Sequence, residues 1–520
     1  MLLLISSVLA LYGGNWDSGH YLHPDERLYI NASDIRLPVS IKEFLSPQSP
    51  LNLHMFYYGP LPVYLYKIFY QLFNPTGNLL LTGRFLSGLF TILTVFLIFQ
   101  IGKRVFNEKV GLVAGFIFIF APGIIQHAHF ITTESILNFF LALIMLISIF
   151  VYKNRQLRWF LIIGLLIGAA TASKVTGLSF GLIPLIVYIY LLVKAKNKIT
   201  VSVYFFGSLI LAGLTSLVLS PYQIIDFHSF MGEQLYMQSV VLGFSKAPFT
   251  LIYQNTPSYI YPLLSILPLT FGFLSLPLSL IGFYYLIKSR RNKILTILLI
   301  AYPLVYFAWA GAWFAKFSRY YILLIPFLSL FAAYAISRLQ KKYQIIALVV
   351  IAANGLIFFK SIYFQKNTRV QASDWVYQHI LPGKVIAGEY WDDNLPFPKQ
   401  SLLPYTIVQL DVYAQPDDRS KLKTLADQLG KSDYFIISSR RVYASILRNE
   451  NSYPLTVKLY QSLFSGKLGY KLVKKFTNYP FGFPDDWADE SFQSYDHPPV
   501  MIFANEKRFT PAELISTIWQ

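Results

Sequence analysis

A polytopic α-helical membrane protein with a C-terminal α/β domain is the fold class the sequence predicts, on three observations. Only 13% of the 520 residues are charged, against 55% hydrophobic and a mean hydropathy of +0.47. A soluble chain carries about 25% charged residues. Long apolar runs recur up to about residue 360, separated by short basic or aromatic loops. Beyond about residue 361 the composition becomes that of a water-soluble domain.

The first apolar segment, residues 1–12, is shorter than the roughly 20 residues a spanning helix needs. It has no basic n-region, which argues against a cleaved signal peptide. Either this helix is short or it begins upstream of Met1. Residues 13–78 are too polar, and too rich in Pro and Tyr, to span. Within them, residues 35–44 and 64–73 have the pattern of short amphipathic helices, the second lying at headgroup level. Further apolar runs cover about 79–101, 110–126, 135–152, 159–172, 176–193, 201–219, 263–287, 294–310, 320–337 and 344–360. With the first segment they predict about eleven transmembrane helices.

The connecting loops predict orientation. Five clusters are basic: Lys103, Arg104 and Lys109; Lys153, Arg155 and Arg158; Lys194, Lys196 and Lys198; Lys288, Arg290, Arg291 and Lys293; and Arg338, Lys341 and Lys342. With eleven spans all five fall on one side, which the positive-inside rule makes cytoplasmic. This accounts for much of the +18 net charge without a nucleic-acid partner. The first loop, 13–78, and the C-terminal domain, 361–520, then lie on the extracytoplasmic side of the cell membrane. In that domain, β-like runs at 384–388, 406–412, 434–438 and 500–504 alternate with helical patterns at 419–429 and 456–463, an α/β arrangement. No glycine-rich phosphate loop and no internal repeat is present, which argues against a nucleotide-driven pump and against many transporter folds. The absence of cysteine excludes disulfides and thiolate chemistry.

Candidate chemistry gathers at the outer ends of the spans. Asp25 and Glu26, in His23-Pro24-Asp25-Glu26-Arg27, lie in the first loop beside Tyr21 and Tyr29. A carboxylate oriented beside a membrane cavity can take a proton from an acceptor hydroxyl or amine. The same pair can equally be solvated acids capping a helix that starts near Arg27. Glu134 closes a second outer turn, Gln126 to Glu134, where Thr133 suits a helix N-cap and Glu134 suits the helix dipole. His127 and His129 could ligate a divalent metal with Glu134, but two histidines at i and i+2 on a turn do not establish a metal site. No cofactor follows from the sequence. Arg84, Lys174, Lys316 and Arg319 are cations near the outer face, where the positive-inside rule disfavours them. Each could hold a phosphate or simply snorkel to the headgroups. Most of the 37 Tyr and 44 Phe are read as lipid-facing or core residues; Tyr57 and Tyr58, before Gly59-Pro60-Leu61-Pro62, stand apart.

The order of these motifs resembles the GT-C glycosyltransferases, in the branch of protein O-mannosyltransferases and the lipid A aminoarabinose transferase. His23-Pro24-Asp25-Glu26 is similar to that family's first acidic motif. His129-Phe130-Ile131-Thr132-Thr133-Glu134 is similar to its second, which more often ends in Asp. Tyr58-Gly59-Pro60-Leu61-Pro62 is similar to a segment where some members carry a phosphate-binding Lys; this chain has Gly59 there. The resemblance extends over about residues 10–340. It implies a sugar donor on a polyprenyl phosphate, inversion by single displacement, and an extracytoplasmic acceptor that is a protein, lipid or glycan. Asp25 would be the base, with Glu26 organising its loop. Glu134 would orient Arg27, another cation or the acceptor. Arg84 and Lys174, then Lys316 or Arg319, would meet the leaving phosphate, with Arg27 and Tyr58 also on the substrate. A lipid or glycan transporter without transfer chemistry, or a non-catalytic scaffold, would share the hydropathy. A transporter would place its ionisable groups nearer the bilayer midplane.

Overall fold

The computed structural model of the protein describes residues 1–289, 292–399 and 404–519. Arg290 and Arg291 of the fourth basic cluster lie outside the described residues. The chain divides into two compact units. One comprises residues 1–14, 23–239 and 258–359; the other comprises 15–22, 240–257 and 360–520. Two short pieces of the N-terminal 360 residues therefore pack with the C-terminal domain, which hydropathy alone does not reveal.

The first unit is helical. Among the described residues, seven helices are long and apolar enough to cross a membrane, and nine if each of two bent pairs is one span. The expected count of eleven is therefore not reached on length and composition. All eleven predicted segments are nevertheless helical. Leu2–Leu11 and Trp159–Ser173 fall short of spanning length. Residues 108–128 bend by 66° at Ala121-Pro122, and residues 262–288 bend by 108° around Gly272. The breaks have local causes: proline cannot donate into the ladder, and Gly272 adopts a positive φ of 111° that closes the preceding turn.

Burial sorts the helices. Thr133–Asn154 and Ser318–Ile336 are enclosed by other helices, whereas Lys198–Leu219 is largely exposed along its apolar length, as a lipid-facing helix is. The Trp159–Ser173 helix packs on Lys198–Leu219 through Gly164 and Gly168, one turn apart. A Cβ on either would meet the backbone oxygen of Ser208 or Ala212, at 2.2 and 2.5 Å. This close approach is the small-residue packing of membrane helices, and it fixes the helix that ends beside Lys174.

The first loop is more structured than predicted. The helix expected to start near Arg27 begins three residues earlier, as Pro24–Asn31, with His23 rather than an acid as N-cap and proline at the first position. The helix expected over 35–44 is confined to Ile41–Phe44. The ring of Pro38 disfavours a helical Leu37 and stops the helix from extending backwards. The helix expected over 64–73 begins earlier, at Leu61.

The second unit holds a five-stranded sheet formed by β1 (Val385–Glu389), β2 (Thr406–Leu410), β3 (Tyr434–Ile437), β4 (Tyr470–Phe476) and β5 (Val500–Asn505). The strand order is β2-β1-β3-β5-β4; the first three are parallel, and β5 runs antiparallel to both neighbours. Successive residues enter opposite cores, as the two-residue period requires. Phe435 and Ile437 pack with Leu425, Leu429 and Tyr460, while Ile436 packs with Ala372 and Val376. Four strands coincide with the predicted runs. β4 was not predicted: Tyr470-Lys471-Leu472-Val473-Lys474-Lys475-Phe476 carries lysines on a largely exposed edge, a device that protects sheet edges and hides the strand from a hydropathy reading.

Candidate active site

The site begins with the Pro24–Asn31 helix. Neutral imidazole is required for its cap, because His23 Nδ1 accepts the Asp25 backbone N–H at 3.2 Å. Burial supplies that state by pushing the His23 pKa down to about 3. The capped turn then sends Asp25 and Glu26 in different directions.

Glu26 is fully buried and held on all sides. Arg84 donates from Nε to Oε1 at 2.9 Å and from Nη2 to Oε2 at 2.6 Å. The Ile131 N–H donates to Oε1 at 2.8 Å, and Arg84 Nη1 reaches the Gly14 carbonyl at 2.8 Å. This bidentate pair ties the first loop to the Leu79–Val105 helix and to the turn before Glu134. Arg84, expected at the leaving phosphate, is thus committed to Glu26 and the backbone. The cause is geometric: its position on the helix points it beneath the first loop, where an unpaired carboxylate would be costly.

Asp25 is partly buried and faces a different set. Tyr58 donates its hydroxyl to Asp25 Oδ2 at 2.9 Å, and Arg319 Nη1 donates to the same oxygen at 2.5 Å. Burial alone would raise the Asp25 carboxyl. The Arg319 guanidinium and the Tyr58 hydrogen bond outweigh it and hold the group below the ordinary carboxylate value. Arg319 also lies over the rings of Phe317 and Tyr320, at 4.7 and 5.7 Å.

Glu134 is buried at the start of the Thr133–Asn154 helix and accepts Lys174 Nζ on Oε1 at 3.1 Å. Lys174 lies just beyond the Trp159–Ser173 helix, 5.3 Å from the Tyr58 ring centre and 5.8 Å from that of Tyr320. The cation that Glu134 meets is thus Lys174. Arg27 stands half-buried on the helix that carries Asp25. Lys316 is buried and donates to the Phe314 carbonyl at 3.1 Å. His129 has Ile125 O and Tyr12 O within 2.7 and 2.8 Å of its two ring nitrogens, so neither is turned towards a metal. His127 Nδ1 lies 3.9 Å from Glu134 Oε2. Among the described residues no group of three or more His, Asp or Glu side chains is placed to hold a metal ion.

Gly59 explains how these parts meet. Its N–H donates to the Ser173 carbonyl at 2.9 Å, and a Cβ would lie 1.8 Å from the Ala172 carbonyl oxygen. The absent side chain lets the 58–60 backbone touch the end of the Lys174-bearing helix, so Tyr58 can reach both Asp25 and Lys174. Gly59→Ala is expected to destabilise the protein by about 1–3 kcal/mol or more, as forced overpacking does, read as a lower unfolding temperature in detergent.

Asp25, Tyr58, Glu134, Lys174 and Arg319 thus form one network of two acids, two cations and a shared tyrosine, from five separate parts of the chain. Sequence reasoning missed His23 as the cap and Tyr320 as the ring beneath both cations. Adjacency to Arg319 was the available signal for Tyr320, but aromatic residues are too common in this chain for it to stand out.

Residues 58–221, less than half of the chain, match the model of a family described as dolichyl-phosphate-mannose-protein mannosyltransferase. That stretch holds Tyr58, Arg84, Glu134 and Lys174, and the family lies in the branch that the motifs resemble. No curated protein matches the sequence. The fold is similar to several solved structures at low identity. ArnT from Cupriavidus metallidurans bound to undecaprenyl phosphate has a TM-score of 0.48 and 13% identity, over 97% of this chain and 98% of that one. The apo oligosaccharyltransferase of Archaeoglobus fulgidus has a TM-score of 0.46 and 14% identity, over 95% and 77%. The mycobacterial arabinofuranosyltransferase AftD has a TM-score of 0.43 and 13% identity, over 97% and 41%.

Proposed function

We propose that the protein is a membrane glycosyltransferase that moves a sugar from a polyprenyl-phosphate donor to an extracytoplasmic acceptor. The observation that carries this reading is the convergence of Asp25 and Glu134 with Lys174 and Arg319 around Tyr58. Transfer needs a base for the acceptor proton and cations for the phosphate on which negative charge develops. Both kinds of group are present within one network, and the match of residues 58–221 supports the same reaction class.

In the reaction, the acceptor oxygen or nitrogen attacks the anomeric carbon as the bond from that carbon to the lipid phosphate oxygen breaks, inverting the centre. Asp25 takes the acceptor proton, and the polyprenyl phosphate leaves with the bonding electron pair. With Arg319 on its carboxylate, Asp25 is a weak base. An arriving phosphate competes for the guanidinium, and each step Arg319 takes towards it raises the basicity of Asp25. Donor binding and base activation are coupled in this way. Glu134 holds Lys174 in reach of the same phosphate, and Glu26 with Arg84 fixes the helix that carries Asp25. The experiment is transfer by purified protein from a panel of polyprenyl-phosphate sugars; no turnover with any donor, in protein shown to be folded, would overturn the reading.

Lys316 adds a pH dependence. Burial pushes its ammonium down to about 8 from an ordinary 10.5. If it meets the donor phosphate, donor KM rises as pH passes through about 8 and the charge is lost. Lys316→Arg should flatten that alkaline rise. Stability moves the other way: the unfolded state binds more protons between about pH 8 and 10.5, so Lys316 makes the fold more stable as pH rises across that window. Donor titrations and thermal unfolding at pH 7 to 9.5 check both signs.

A further inference from the structure

Residues 52–60 form no regular helix or strand, so their backbone groups need partners from elsewhere in the fold. At Phe56, two consecutive side chains of the Phe227–Leu242 helix supply them. The Phe56 N–H donates to Glu233 Oε2 at 2.6 Å, and Gln234 donates from Nε2 to the Phe56 carbonyl. Neighbours on a helix point about 100° apart, so the pair straddles the Phe56 backbone rather than stacking on one side of it. The Phe56 ring is buried and packs on Phe230, one turn earlier on the same helix, at 5.8 Å between centres.

Phe56 lies two residues before Tyr58, and Gly59, one residue after it, is tied to the Ser173 carbonyl. The Tyr58 backbone is thus fixed from both sides, by one helix through Glu233 and Gln234 and by another through Gly59. What that backbone presents is the Tyr58 hydroxyl, which donates to Asp25 Oδ2 at 2.9 Å. We infer that Glu233 and Gln234 are positioning residues for the proposed base: they hold Tyr58 where it orients Asp25. This rests on the transferase reading and extends its machinery to a helix 177 positions from Phe56 in sequence. Glu233 contributes the larger share, because a charged acceptor makes the stronger hydrogen bond. A displacement of about 1 Å at a reacting group can cost about 10²-fold in rate, so bonds at this distance from the chemistry reach kcat.

The test uses the full chain, purified as wild type and as Glu233→Ala, Glu233→Gln, Gln234→Ala and Tyr58→Phe, with each alanine variant also combined with Tyr58→Phe. Turnover of the polyprenyl-phosphate sugar that the donor panel identifies gives kcat and donor KM, and thermal unfolding is recorded without donor. Glu233→Ala should lose roughly ten- to hundredfold in kcat, with donor KM changed by less than about twofold. Glu233→Gln, whose amide oxygen can still accept the Phe56 N–H, should recover most of that loss. In the Tyr58→Phe background, which has no hydroxyl to place, either alanine should cost nothing further in kcat. Costs that multiply between Tyr58→Phe and Glu233→Ala, a normal kcat in folded Glu233→Ala, or a KM effect as large as the kcat effect would overturn the assignment and leave the pair a loop fastening. If Glu233→Ala does not fold, the same cycle with Gln234→Ala decides on the same outcomes. If the wild type turns over no donor, the transferase reading fails and this inference fails with it. Normal wild-type turnover with multiplying costs removes this inference alone.

Discussion

Asp25→Asn is expected to lower turnover by about 10²–10⁴-fold, the usual cost of removing the general base that Asp25 is proposed to be, while the protein stays folded. The amide oxygen of asparagine can still accept from Tyr58, and the side chain keeps its size. What it loses is the charge that pairs with Arg319 and the ability to take a proton. Because Asp25 and Arg319 are each only 14% exposed at the side chain, some stability is lost as well, so activity is read per folded molecule. A freed Arg319 can still meet phosphate, so donor KM changes less than kcat. Near-normal kcat would remove Asp25 as the base. Glu134→Gln offers a contrast. It leaves Asp25 in place but releases Lys174, and its effect falls more heavily on donor binding.

Arg84→Met destabilises the protein by about 3–5 kcal/mol, the cost of leaving one member of a buried ion pair without its partner. Arg84 and Glu26 are 1% and 0% exposed at their side chains, and the pair is bidentate. The remaining Glu26 would lose both of its guanidinium bonds and keep the Ile131 N–H. Replacing both, as Glu26→Gln with Arg84→Met, recovers part of the loss because no full charge stays buried. Chemical or thermal unfolding of the single and double variants measures the coupling. A single variant that unfolds like the wild type would show that the pair does not anchor the first loop. The outcome separates two cations that look alike in sequence: Arg84 supports the fold, and Arg319 faces the proposed chemistry.

The apolar runs were legible because lipid demands long stretches with satisfied backbones, and all eleven became helices. Their ends and bends were less legible, since proline and Gly272 break the runs at 121–122 and near 272 without changing hydropathy. The acids were legible as a pair beside a membrane. Their division of labour was not, because it depends on a capped turn formed by a neutral His23. β4 was hidden by its lysines. The assignment of residues 15–22 and 240–257 to the second unit left no trace in composition.

By itself, the sequence determined a basic, cysteine-free chain of many apolar helices followed by an α/β domain, with acids and cations gathered at the ends of its spans. Local pattern suffices for this, because hydropathy and backbone satisfaction act over one segment at a time. Only the tertiary structure decided which charge meets which: Glu26 with Arg84, Asp25 with Arg319, Glu134 with Lys174. Those pairings join residues 58, 294 and 40 positions apart, and no periodicity records them. The reason is that a buried charge takes its partner from whatever the packed helices bring within reach, and at Gly59 that reach depends on a side chain that is not there.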